Sequence, residues 1–258
     1  MDTLKVTLVQ SILHWRSPQD NRDHLESLIA DQGENADVVI FPETFTTGFL
    51  GDTAATAEGM NGETVHWMRE MAAKYESVMA GSAAIDDEGR RNRFLWVEPD
   101  GQVSFYDKHH LFAYVGENER YISGRERVIF NYRGWRICPQ ICYDIRFPVW
   151  CRNRDDYDLL LVVANWPGTR IDAWSTLLKA RAIENQCYVA AVNRVGKDGN
   201  GFEYPGASVV HDPLGKTMLK LGEQEQCGPA EISLSKVRSV REKLPFSREA
   251  DHFKLENL

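Results

Sequence analysis

Ile141-Cys142-Tyr143-Asp144-Ile145-Arg146-Phe147-Pro148-Val149-Trp150, entered from the apolar stretch Trp135-Arg136-Ile137-Cys138, decides how this chain is read. A strand that ends on a cysteine and runs into a helix-like segment sets a thiol at a tight strand-to-helix turn. There it is exposed at the end of a sheet, near a helix N-terminus that favours thiolate. Taken alone, Cys142 reads equally as a nucleophile and as a small buried hydrophobe.

Working outward, the flanking segments have the rhythm of a layered α/β protein. Leu4–Gln10 alternates at period two and reads as a strand, and residues 20–31 place Leu25, Leu28 and Ile29 on one helical face. Ala36–Phe41 is a short apolar run of the kind found in strands with helices on their faces. A helix over 62–76 and a strand over Val78–Ala84 complete a β-α-β-α-β series. Glu98-Pro99-Asp100-Gly101 marks a hairpin turn. Beyond Cys142 the pattern predicts a helix to 154, a strand at Leu159–Ala164, a helix over 170–185 and a strand at Cys187–Asn193. The end is more β-rich, with Ala207–His211, a turn at Asp212–Gly215 and Lys216–Leu219. Without a Ser/Gly linker, low-complexity tract or short-period repeat, residues 1–258 read as one domain. Residues 238–258, rich in charge and carrying Pro245, read as a surface or dimer arm.

Composition narrows the function. The net charge of −8 argues against a nucleic-acid partner, which demands a basic footprint. No apolar run reaches the ~18–20 residues of a membrane span, and no basic-then-apolar leader opens the chain, so the cytoplasm is the expected compartment. The five cysteines show no CxxC spacing, and the histidines have no partners at metal spacing; neither a disulfide framework nor a metal site is expected. Cys138, Cys151, Cys187 and Cys227 read as inert, the last in a polar tail.

Two further segments offer chemistry. Glu43 follows the buried run ending in Phe41-Pro42, at a strand's carboxyl end where open α/β sheets build their sites. Lys108 ends the β-like Val103–Tyr106 stretch. Each alone reads more readily as a solvated surface charge than as a catalytic group. Together with Cys142 they supply a base, a cation and a nucleophile, the parts that acyl transfer needs.

Phe41-Pro42-Glu43, Tyr106-Asp107-Lys108-His109-His110-Leu111-Phe112 and Cys142-Tyr143-Asp144-Ile145-Arg146-Phe147-Pro148 resemble the three signature segments of the nitrilase (carbon–nitrogen hydrolase) superfamily. Their order matches, as do the intervals of 65 residues from Glu43 to Lys108 and 34 from Lys108 to Cys142. Ala164–Pro167, Ala180–Gln186 and Asn193–Gly196 extend the likeness over nearly the whole chain, and the wording around the lysine and cysteine is most similar to the omega-amidases.

The resemblance implies an α/β fold: a four-layer α-β-β-α sandwich of two mixed sheets flanked by helices, usually a homodimer. It implies release of ammonia from the terminal amide of 2-oxo acid amides (2-oxoglutaramate, 2-oxosuccinamate) through a cysteine thioester, with no metal or organic cofactor. Carried onto this sequence, Glu43 is the general base, and Lys108 and the Tyr143 N–H hold the oxyanion. Glu117, rather than its neighbour Glu119, is the second glutamate. Arg146 is expected to clamp the substrate carboxylate bidentately, with Trp166 and Phe45 walling the pocket. An Arg146–Asp144 pair is the competing structural reading of that arginine, and Arg181–Glu184 has the spacing of a helical ion pair. Asn193 and Arg194 are at most pocket lining. Another amidase of the superfamily, acting on carbamoyl amides or deaminated glutathione, is the alternative function. A non-catalytic binding protein of the same fold is the other, and selective alkylation of Cys142 would separate it from an enzyme.

Overall fold

Alternation along β1 (Thr3–Gln10) sends Leu4, Val6 and Leu8 to one face and Val9 to the other, and both faces are buried. That two-sided burial sets the architecture in the computed structural model, which describes residues 2–32, 35–53, 56 and 58–255. The first half continues with α1 (Pro18–Gln32), β2 (Val38–Ile40), α2 (Glu63–Tyr75), β3 (Val78–Asp86), β4 (Arg90–Val97) and β5 (Val103–Asp107). After the short α3 (Glu117–Arg120) come β6 (Phe130–Tyr132), β7 (Trp135–Ile141), α4 (Pro148–Cys151), β8 (Leu159–Ala164), α5 (Ile171–Asn185) and β9 (Tyr188–Asn193). A small hairpin of β10 (Val195–Lys197) and β11 (Glu203–Pro205) precedes β12 (Val209–His211), β13 (Thr217–Lys220), β14 (Gln226–Ser233) and α6 (Leu234–Lys243).

Two six-stranded mixed sheets result, ordered β14-β1-β2-β3-β4-β5 and β13-β12-β9-β8-β7-β6. Each has three parallel strands at its centre, β1-β2-β3 and β7-β8-β9, and antiparallel strands outside them. Between the sheets lies one apolar cluster holding Leu8, Ile40, Trp96, Trp135, Leu161 and Val192. A second cluster fills the space between the first sheet and α1 and α2, where Leu25 and Met68 meet Val39 and Leu95. A third joins the second sheet to α5 through Trp174, Leu178 and Leu160. Each fully buried side chain of this size contributes about 1.5–3 kcal/mol of transfer free energy. The layers run α-β-β-α, as the resemblance implied, and the chain is an α/β protein.

Two local expectations fail. The helix predicted from Cys142 to 154 is a 3-10 turn over Cys142–Arg146, an extended Phe147 (φ −106°, ψ 93°) and the single turn α4. Pro148 is the cause: its ring drives the preceding residue out of the α region, and it brings no N–H to continue the helix. Cys227 is not in a polar tail but in β14, which pairs with β1 from Thr3↔Ser233 to Gln10↔Gln226. Gly228 and Pro229 hide this strand from a propensity reading. At the sheet edge Pro229 is tolerated, because its missing N–H can face away from the partner strand.

Candidate active site

The parallel strands of both sheets end at the same rim, and the chemistry-bearing residues follow those ends: Glu43 after β2, Cys142 after β7, Asn165 after β8. Phe41 N–H still bonds Ala80 O (2.7 Å), carrying the strand ladder up to Pro42. The chain then turns through Thr44, which takes a left-handed φ of 42° and donates its N–H to Ser82 Oγ (2.9 Å). The Glu43 carboxylate is thereby sealed between the sheets at 0 % exposure. Asn165, from the other sheet, holds it twice, with its N–H on Oε2 (2.8 Å) and its Nδ2 on the Glu43 carbonyl (2.6 Å).

Lys108 arrives just past β5, its N–H on Asn92 O (3.0 Å) and its carbonyl accepting from Gly124 N–H (2.9 Å). A Cβ at position 124 would fall 2.1 Å from Asp107 O, so only glycine permits this approach. The buried ammonium sits 2.8 Å from Glu43 Oε1 and 2.9 Å from both oxygens of Glu117, which also accepts from Phe112 N–H (2.6 Å). Glu119 makes no contact with Lys108. A fourth residue completes the network. Asn92 Nδ2 donates to Glu43 Oε1 (2.9 Å) and Glu117 Oε1 (3.2 Å), so one amide braces both carboxylates. Asn92 escaped the sequence reading, although a signal exists: it shares the parity of Phe94 and Trp96 on β4, a polar residue on a strand face otherwise given to the inter-sheet core.

Cys142 adopts φ 46°, a left-handed conformation that costs a non-glycine residue about 1–2 kcal/mol and persists only where surroundings impose it. Its thiol feels the charges of Glu43, Lys108 and Glu117. The expected helix-terminus thiolate is not found. Burial first, then the Glu43 and Glu117 charges, push the thiol well above its ordinary range, and Lys108 opposes them without prevailing. Burial lowers the affinity of Lys108 for its proton, but the Glu117 and Glu43 charges outweigh it, so the cation persists. Glu117 is raised by burial and by Glu43 against the pull of Lys108. The cluster is thus a neutral thiol beside an ammonium held between carboxylates. It suits a nucleophile that must be deprotonated at the moment of attack.

Around this cluster the remaining candidates divide. Arg146 does not pair with Asp144. Its guanidinium lies over the Trp166 ring, 4.8 Å from the centroid, and meets no carboxylate among the described residues. Trp166 is fixed by Asn193, which accepts from its N–H (2.7 Å) and donates to its carbonyl (2.9 Å). Asn193 therefore holds the wall rather than lining it. The Tyr143 ring packs against Phe112 and Phe147. Phe45 is misplaced by the sequence reading. It is fully buried on the helix side of the first sheet against Phe41 and Trp67, because the turn at Thr44 sends its side chain away from the rim. Arg181 does pair with Glu184 (2.9 Å), but its stronger engagement is with Ile145 O, at 2.6 and 3.0 Å. Arg194 is buried, and it ties the β10–β11 hairpin to Leu13 O (3.2 Å). No helix among the described residues is long and apolar enough to cross a membrane.

Residues 5–242 match the carbon–nitrogen hydrolase family model. The chain is 46% identical over 258 residues to the omega-amidase YafV of Yersinia enterocolitica, covering 99% of this chain and all of that one. It is 33% identical to the 2-oxoglutaramate amidase of Bacillus subtilis, covering 93% and 95% of the two chains. Among solved structures, a CN-hydrolase superfamily protein of Xanthomonas campestris with an arsenic adduct in its active site superposes with a TM-score of 0.96. It shares 46% identity and covers 99% of this chain and 100% of its own. This protein belongs to the carbon–nitrogen hydrolase family and is an amide-hydrolysing enzyme of the nitrilase superfamily.

Proposed function

We propose that the enzyme is an omega-amidase, converting the terminal amide of 2-oxo dicarboxylic acid monoamides (2-oxoglutaramate, 2-oxosuccinamate) to the free acid and ammonia. The observation that carries the substrate class is Arg146. It is a guanidinium without an acid partner among the described residues, stacked on Trp166 and four positions past the thiol. Such a group can bind a carboxylate bidentately at the far end of a short substrate. The names of the full-length relatives support the same reading.

In the proposed reaction Glu43 takes the Cys142 proton as Sγ attacks the amide carbon. The carbonyl oxygen, now an oxyanion, accepts from the Lys108 ammonium and the Tyr143 N–H. Collapse breaks the C–N bond while Glu43 returns the proton to the departing nitrogen, releasing ammonia and leaving a thioester. Glu43 then deprotonates water for the second attack, and cleavage of the C–S bond restores the thiol. Glu117 and Asn92 keep the ammonium and the base in register, a preorganisation that removes reorganisation cost from the barrier.

Ammonia release from 2-oxoglutaramate and 2-oxosuccinamate, beside glutamine, asparagine and a simple nitrile, tests this reading. The 2-oxo amides should be turned over selectively and Cys142→Ala should abolish it. Arg146→Ala should raise KM about 10–100-fold, the worth of charge-assisted hydrogen bonds to one carboxylate. Turnover of carbamoyl amides or deaminated glutathione in preference to the 2-oxo amides would reject the substrate while leaving the thiol chemistry. An unchanged KM in Arg146→Ala would reject the clamp.

A further inference from the structure

Asp144 lies two residues past Cys142, is fully buried and meets no lysine or arginine among the described residues. A buried carboxylate is costly unless donors saturate it. Oδ1 accepts from His110 N–H (2.9 Å) and lies 2.9 Å from His110 Nδ1. Oδ2 accepts from the Tyr106 hydroxyl (2.8 Å) and from Ile141 N–H (3.1 Å). Only the last of these caps its own turn. The others come from the segment that carries Lys108, Tyr106 two residues before it and His110 two residues after.

The strap is reinforced at both ends. Tyr106 Oη accepts in turn from His109 N–H (3.1 Å) and Trp150 Nε1 (3.2 Å). The His109 ring stacks on Trp150 with centroids 3.9 Å apart, and His110 stacks on Phe147 at 3.6 Å. Each half of the proposed oxyanion site sits on one side of this joint: the Lys108 ammonium on the β5 extension, the Tyr143 N–H on the turn after β7. The two come from different sheets, and one carboxylate ties their backbones together.

We propose that Asp144 is the positioning residue that sets the separation of the two oxyanion donors. The inference rests on the assignment of Lys108 and the Tyr143 N–H under the proposed function. It places the effect of Asp144 on transition-state stabilisation, not on substrate affinity or on thiol reactivity. Asparagine cannot replace it, since an amide offers one acceptor oxygen and turns a donor toward donors.

The test compares Asp144→Asn, Tyr106→Phe and His110→Phe, the last preserving the stack on Phe147. Steady-state kinetics on 2-oxoglutaramate are measured beside the rate of iodoacetamide alkylation at Cys142, a displacement that develops no oxyanion. Loss of one aligned oxyanion donor costs on the order of 100–1000-fold. For Asp144→Asn, kcat should accordingly fall about 100-fold, with KM and the alkylation rate within about threefold of wild type. Tyr106→Phe, which cuts one arm, should lose about tenfold in kcat with the same split, and His110→Phe, which removes the Nδ1 contact but keeps the main-chain N–H on Oδ1, should lose less, again in kcat alone. A folded Asp144→Asn enzyme with wild-type kcat overturns the proposal. So does a parallel fall of kcat and alkylation, which would make Asp144 a support for the whole site. If Asp144→Asn does not fold, the two single-arm variants decide by the same criterion. A wild type silent on every amide overturns the functional reading instead, and the oxyanion role with it.

Discussion

Cys142 sits between a lysine that would stabilise its thiolate and two carboxylates that oppose it. Burial and the carboxylates win, so the resting thiol is protonated and titrates well above its ordinary value near 9. The sign has a consequence for Glu43→Gln. Removing that charge takes away one of the influences that raise the thiol, so its titration midpoint should move down, read as ultraviolet thiolate absorbance less that of Cys142→Ala. Amide hydrolysis should fall by about 100–10,000-fold, the usual worth of a general base. A more acidic thiol in a less active enzyme would separate base catalysis from simple thiolate supply. A midpoint that stays or rises would refute the electrostatic account. The same burial makes Glu117 hold a proton more readily than an ordinary carboxylate. The acid limb of kcat/KM should therefore lie above the ordinary Glu value of 4.5 and move to lower pH in Glu117→Gln, if that variant retains measurable turnover. An acid limb at or below that value would exclude Glu117 from the active ionisation.

Elements bring these residues together through the turns that follow strands, and the turns are where reading the sequence is hardest. Strand-end residues such as Glu43 and Cys142 were legible because buried apolar runs point at them. Phe45 was not, because its orientation depends on the left-handed Thr44, which no periodicity encodes. The helix expected after Cys142 was lost to Pro148, a residue whose effect was readable in principle. Asn165 and Asn193 show a second limit, since their value lies in bonds to backbone 122 and 27 residues away. The loop at Gly206 allows a test at this scale. Gly206 has φ 71°, and a Cβ there would lie 2.4 Å from Gln10 Cδ and Oε1. Gln10 is buried, donates to Gly222 O and Gln224 O and accepts from Ser208 N–H. Gly206→Ala should therefore cost about 3 kcal/mol, combining left-handed strain with displaced hydrogen bonds. Urea denaturation would report this as a lower midpoint at constant slope, and an unchanged midpoint would mean that the loop relaxes freely.

Across the whole molecule, the first sheet is not closed by its own half of the sequence. β1 is flanked on one side by β2 and on the other by β14, more than two hundred residues later, so the sheet is completed by the last strand. The helix that follows extends this closure to the second half. Leu234 and Val237 of α6 enter the inter-sheet core with Ile232, and Arg241 reaches Tyr157 O (2.6 Å), Asp158 Oδ1 (3.0 Å) and Gln186 O (3.1 Å). Sequence patterning missed this entirely, because Gln226–Ser233 has neither alternation nor β-branched enrichment, and its strand character comes from the partner it pairs with. The part of the supposed arm that lies in α6 is accordingly a structural clamp. Beyond it the chain lies nearer the surface: Phe246 is exposed, Phe253 meets the guanidinium of Arg154 (4.9 Å), and a partly buried Leu255 packs at the margin of the inter-sheet core. No described contact of residues 246–255 reaches Glu43, Lys108, Cys142 or Arg146. Two truncations should therefore behave in opposite ways. A chain ending at Pro245 should retain wild-type kcat/KM on its amide substrate. A chain ending at Glu225 strips β1 of eight paired residues and opens the inter-sheet core, and it should be recovered only as aggregate, since an exposed, unpaired apolar strand is an association site. Soluble, active protein from the shorter chain would show that the two sheets hold without their last strand and helix.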